Sequence, residues 1–190
     1  FTCRARLRLT PVEIAAEILS VDKWPGFTGY GPLPGIRSAV FESRTPDVMG
    51  TWIRVVNTDG SSHVEEIVEW DPERRLRLDL KEFSPPLSRL ADHFEEVWEF
   101  TPAAEGTDVV RTFAMYANSW LSRPVLWLIS LLLRRAIARH LRQLSEGVTA
   151  TGTAAAADEA GDEAQRPPAA GDRGPGGGDA RPDRQALPDL

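Results

Sequence analysis

One cysteine, Cys3, serves a chain of 190 residues, so no disulfide can form within it, and this usage suits a reducing cytoplasm. The three histidines, His63, His93 and His140, include no close pair, and with one cysteine a Rieske-type cluster is excluded. Neither a metal site nor a cofactor is expected. No Gly-x-Ser-x-Gly elbow and no phosphate loop occurs. Long apolar runs are lacking too. The strongest is VLWLISLLL at 125–133, eight apolar residues in nine positions, closed at once by Arg134, Arg135, Arg139 and Arg142. Spanning a bilayer takes about 20 such residues, so this run is no transmembrane helix. A basic excess is missing as well: the formal net charge is −6. That argues against nucleic acid as a partner, and the Arg4, Arg6, Arg8 alternation reads as the outer face of a strand whose inner face holds Cys3, Ala5, Leu7 and Leu9. No signal peptide is visible and the expected location is cytoplasmic; the chain starts at Phe1 without a methionine, and a few residues, or a targeting segment, are expected upstream.

Aromatics are absent from one end only. All six tryptophans, seven phenylalanines and two tyrosines lie in the first 150 residues. Residues 151–190 hold none, with 7 of the 15 glycines, 5 of the 15 prolines, eight acids and four arginines. Such a segment cannot bury enough surface to offset its ordering entropy, so residues 149–190 are expected as a disordered acidic Ala/Gly/Pro-rich tail after a domain over 1–148. The tail carries −8 + 4 = −4, which leaves −2 for the body.

Within the body the pattern switches from period two to helix. Residues 1–9 alternate as a strand; Thr10-Pro11-Val12-Glu13 then supplies an N-cap, a first-turn proline and the glutamate of a capping box. A helix over 11–20 follows, then a second short turn over 21–24 before Pro25-Gly26. Strands are predicted over 36–43, 51–57, 62–70, 75–83, 94–101 and 108–118, with hairpin or turn signals at Asp59-Gly60, Asp71-Pro72 and 102–106. Short joints imply an antiparallel meander. A long helix closes the domain after Pro124. Around its axis Val125, Ile129, Leu132, Leu133, Ala136, Ile137, His140 and Leu144 share one face and the arginines the other, while Trp127 and Leu131 fall on the polar side and need a partner.

This order resembles the START-like (SRPBCC) superfamily, in its polyketide cyclase/dehydrase and lipid-transport branch. The resemblance is carried by the Thr10-Pro11 helix start, the Asp59-Gly60 hairpin, the run VEEIVEWDPERRLRL at 64–78, the turn Glu105-Gly106-Thr107-Asp108-Val109 and the final amphipathic helix. It implies an α+β helix-grip fold: a curved seven-stranded antiparallel sheet wrapped around a long C-terminal helix, two short helices after the first strand, and a hydrophobic cavity between sheet and helix. It does not fix a reaction, since one fold hosts many functions.

Candidate site residues follow from parity and from the cavity that the resemblance implies. Glu96 shares a strand face with Phe94, Trp98 and Phe100, and Glu66 one with Val64, Val68 and Trp70. A carboxylate among aromatics has a raised pKa and suits general acid or base work, or else it pairs with Arg54 or Arg111 as structural compensation. His140, on the apolar face of the closing helix, is either a satisfied core histidine or a group that orients or deprotonates a ligand. Tyr116 is a core ring or a donor to a ligand carbonyl. Trp24, Phe27 and Tyr30 fall where the family forms its cavity mouth, and Ile129 and Leu133 on the helix face toward the pocket. Cys3 reads as a small buried hydrophobe.

Three functions stay open. The first is a binding protein holding a lipid-, polyketide- or quinone-like molecule in the cavity. An aromatase/cyclase would use Glu66, Glu96, Tyr116 and His140 as acid and base. The third is an interaction surface, in which Trp120, Leu121, Trp127 and Leu131 meet a membrane or a second copy of the chain.

Overall fold

The computed structural model describes the backbone of residues 1–163 and the side chains of residues 1–145. The chain divides into two units, Phe1–Ala154 and Ala155–Leu190, and everything below on sheet, core and cavity concerns the first. Strand β1 spans Thr2–Leu7, helix α1 Pro11–Leu19, and a 3-10 turn Val21–Gly26. Strands β2 (Ile36–Ser43), β3 (Trp52–Asn57), β4 (Ser62–Asp71), β5 (Arg75–Lys81), β6 (Ala91–Ala103) and β7 (Gly106–Ala117) follow. A 3-10 turn, Trp120–Ser122, leads into helix α2, Arg123–Glu163. Helix α2 thus continues past the domain end expected at 148; the residues of the expected tail beyond Glu163 lie outside the described residues.

The seven strands form one antiparallel sheet in the order β1-β7-β6-β5-β4-β3-β2, the helix-grip arrangement. Each consecutive pair from β2 to β7 is joined locally, and β1 closes against β7 in the register Cys3 with Arg111 and Leu7 with Thr107. Bulges interrupt the ladder in β2, between Ile67 and Glu69 in β4, and between Ala91 and His93 in β6, and such bulges bend strands.

The local chemistry explains the ends of the elements. At α1 the Thr10 hydroxyl accepts from the Glu13 amide while the Glu13 carboxylate accepts from the Thr10 amide at 2.7 Å, a complete capping box. The β6–β7 hairpin is tighter than the five-residue loop expected: pairing continues to Ala103 and Gly106. Gly106 makes this possible with φ +97, and a Cβ there would lie 2.0 Å from the Leu7 carbonyl oxygen. Strand β5 stops at Lys81, before Phe83, because Glu82 takes a positive φ and the chain turns toward Pro85-Pro86.

The core lies between the sheet and the helices. Ile53, Val55, Ile67, Leu76 and Leu78 from the sheet meet Ile14 and Ala15 of α1 and Leu126, Ile137 and Leu141 of α2, all buried. Each such aliphatic side chain, fully buried, contributes roughly 1.5–3 kcal/mol of transfer free energy. Among the described residues no helix is long and apolar enough to cross a membrane.

Candidate functional site

Where core packing stops, two chambers open between the sheet, α1, the first 3-10 turn and α2. The first, about 470 Å³, lies under α1 and is lined by Ile14, Ile18, Trp24, Leu78, Trp98 and His140 among others. The second, about 390 Å³, lies under the first half of α2 and is lined by Phe83, Phe94, Phe113, Ile129, Leu133 and Ile137 with their neighbours. Five residues line both: Phe27, Ile36, Glu65, Glu96 and Arg111. The cavity therefore has apolar walls and a polar waist.

Strand geometry places that waist. On β6, Phe94, Glu96, Trp98 and Phe100 alternate inward and are all buried. On β7, Arg111 pairs in register with Trp98, one step diagonal from Glu96. Its Nε donates to Glu96 Oε1 at 2.5 Å, and its guanidinium lies 4.3 Å from the Trp98 ring centroid and 5.2 Å from that of Phe113. Burial pushes the Glu96 carboxyl above the usual carboxylate range; Arg111 opposes this and the nearby charge of Glu65 adds to it. Glu65 is itself buried, with His63 Nε2 at 3.1 Å from its Oε1.

His140 reaches the first chamber from α2. Burial, and secondarily the positive charge of Arg111, lowers its pKa to about 4, so the imidazole is neutral at physiological pH. Its Nδ1 is buried without a hydrogen-bond partner, and the ring meets Phe27 edge-on with centroids 5.8 Å apart. A neutral imidazole nitrogen, a guanidinium and two carboxylates thus face one apolar space. Together they can accept a hydrogen bond, donate one, and orient a carbonyl or hydroxyl. Among the described residues no three His, Cys, Asp or Glu side chains group to hold a metal ion.

Of the residues singled out from sequence, Trp24, Phe27, Phe94, Glu96, Trp98, Ile129, Leu133 and His140 line the chambers. Five do not. Glu66 points to the outer face, where Lys81 bonds its carboxylate and holds its pKa down, and Lys81 lies over the Trp52 ring. Tyr116 is also outside, stacked on His93 at 4.2 Å and donating to Glu95 at 3.1 Å. Val68 sits at the β4 bulge and does not reach the cavity, and past that bulge Trp70 packs on the core without lining either chamber. Tyr30 lines neither chamber and lies beneath Arg139, which donates to the Gly29 carbonyl. Cys3 is buried at the β1 edge, with its Sγ directed at the Arg134 carbonyl at 3.6 Å, and burial raises its pKa.

Parity counting missed Glu65 and His63. The signal was in the hairpin: across it Ile53 faces Glu65 and Val55 faces His63, and directly opposed residues share a sheet face. Since Ile53 and Val55 are core residues, their partners must point inward.

An α+β helix-grip fold defines a class, and the comparisons agree with it. The model of the family "Polyketide cyclase / dehydrase and lipid transport" matches residues 7–149, and the chain belongs to that family. Among curated proteins none matches. Among solved structures, a protein from Thermus thermophilus is 22% identical with a TM-score of 0.58, covering 79% of this chain and 97% of its own. Another, from Nitrosomonas europaea, is 15% identical with a TM-score of 0.54, covering 79% and 96%. A protein from Arthrobacter aurescens is 15% identical with a TM-score of 0.55, covering 77% and 86%. At these identities the likeness concerns the fold.

Proposed function

We propose that the chain binds a hydrophobic small molecule, of lipid-, polyketide- or quinone-like character, within the two-chambered cavity. The observation that carries this reading is the polar waist of Glu65, Glu96 and Arg111 set between two apolar chambers. Pockets of a few hundred Å³ with apolar walls and few convergent polar groups suit such ligands. The apolar parts of the molecule fill the chambers, and an oxygen function meets Arg111 and His140.

One observation favours an aromatase/cyclase as the second reading. Neutral His140 and buried Glu96 lie in one cavity with a guanidinium, an arrangement able to remove and return protons beside a polarised carbonyl. Glu66 and Tyr116 have no part in it.

Titration with a fluorescent fatty acid, together with native mass spectrometry, tests the binding reading. Saturable uptake is expected, and it should fall at least tenfold in Ile36→Trp, which fills the waist. No uptake by the wild type, or equal uptake by the filled variant, would overturn it. Turnover of a poly-β-keto substrate that is lost in His140→Phe would favour the cyclase.

A further inference from the structure

The start of α2 presents apolar residues that the fold leaves uncovered. Trp120 is 76% exposed, Leu121 66% and Trp127 65%, with Val125 and Leu128 also exposed. These five follow one another within the Trp120–Ser122 turn and the first turns of α2. Over residues 118–145 the chain has five arginines and no acid, although the whole chain is at −6. Arg123, Arg134 and Arg135 are exposed, and among the described residues none of the three forms an ion pair. At helical spacing Arg134 lies on the stripe of Trp127 and Leu131, and Arg135 on that of Leu128, two turns along. Arg89, on the Leu87–Arg89 turn, is exposed as well, and that turn is tied to this region by Asn118, whose side chain donates to the Ser88 carbonyl at 2.9 Å.

We propose that this patch docks on a lipid bilayer surface containing anionic headgroups. Indoles beside leucines suit the boundary between acyl chains and headgroups, and arginines nearby meet the negative surface. Charge decides against a second copy of the chain. A two-fold contact through this patch would set the arginines of one copy against those of the other, with no acid in residues 118–145 of either to offset them, and like charges so placed repel. Acids more than about 8–10 Å away do not cancel the local charge, since screening confines its field to that range. Docking also serves the cavity: Leu128 is exposed on the patch while its neighbour Ile129, with Leu87 and Leu90, lines the second chamber.

Vesicle sedimentation of the full chain tests this. The wild type is expected to sediment with phosphatidylcholine vesicles containing phosphatidylglycerol and to stay in solution with phosphatidylcholine alone. Trp120→Ser with Trp127→Ser should weaken sedimentation at least tenfold, and Arg134→Gln with Arg135→Gln roughly fivefold per arginine. Val40→Ser, at an exposed apolar residue on β2 outside the patch, should change nothing. Circular dichroism checks that all variants fold as the wild type does. The proposal is overturned by a wild type that ignores anionic vesicles, by tryptophan variants that bind undiminished, or by a solution dimer that Trp127→Ser dissolves. Fatty-acid uptake measured without vesicles stands apart: it should survive the patch variants, so a failed cavity and a failed surface read differently.

Discussion

A buried imidazole is costly to charge, and His140 makes that cost visible in the stability of the fold. Its pKa is about 4 in the folded chain against an ordinary 6.5, so between these values the unfolded chain takes up a proton that the folded chain refuses. Stability from this group is complete above the ordinary value and falls as pH drops toward about 4, by at most roughly 3 kcal/mol. Glu96 acts in the opposite sense, since its raised pKa favours the folded form while the acid is protonated. Urea unfolding across this pH range should therefore show a positive slope of stability with pH that flattens in His140→Phe. An unchanged slope in the variant would mean that His140 titrates freely. Placement of such residues was legible only in part. The helical face predicted His140, and strict alternation placed Glu96, but the exchange of Glu66 for Glu65 followed from counting inward from Trp70 across a bulge that no residue type announces. An unpaired residue inserted into one strand shifts every face beyond it.

Elements were more legible than faces because their signals are local. Thr10, Pro11 and Glu13 start α1 by bonds among neighbours three residues apart, and the structure shows those bonds. Strand ends were less so, since β6 and β7 extend each other through pairing across the hairpin to Ala103 and Gly106. The cap makes a test at this scale. Helix α1 roofs the first chamber through Ile14 and Ile18, beside Trp24 of the 3-10 turn. Thr10→Ala removes the hydroxyl that accepts from the Glu13 amide and is expected to cost about 1 kcal/mol. Hydrogen exchange should speed up over Pro11–Leu19 while the β3–β6 amides keep their protection. Uniform loss of protection would show that α1 opens only with the whole sheet.

At the scale of the whole molecule, cavity and surface patch are separate devices on the two sides of one helix, and thermodynamics can tell them apart. Ile129, Leu133 and His140 face the chambers; Trp120, Leu121 and Trp127 face outward and line neither chamber. A ligand that binds the folded chain and not the unfolded one stabilises it by about 2.7 kcal/mol at a hundred times its Kd. For a chain of this size each kcal/mol raises Tm by about 2–4 °C, so a rise of roughly 5–10 °C is expected at that concentration of fatty acid. Ile36→Trp should at least halve the rise, because a tenfold loss of affinity leaves about 1.4 kcal/mol at the same concentration once the indole fills the waist whose residues line both chambers. Trp120→Ser with Trp127→Ser should keep it in full, since distant and independent sites add. Calorimetry of the two variants beside the wild type checks this. A rise lost in the surface variant would mean that the ligand lies along the outside of α2, and that the cavity is packing space alone.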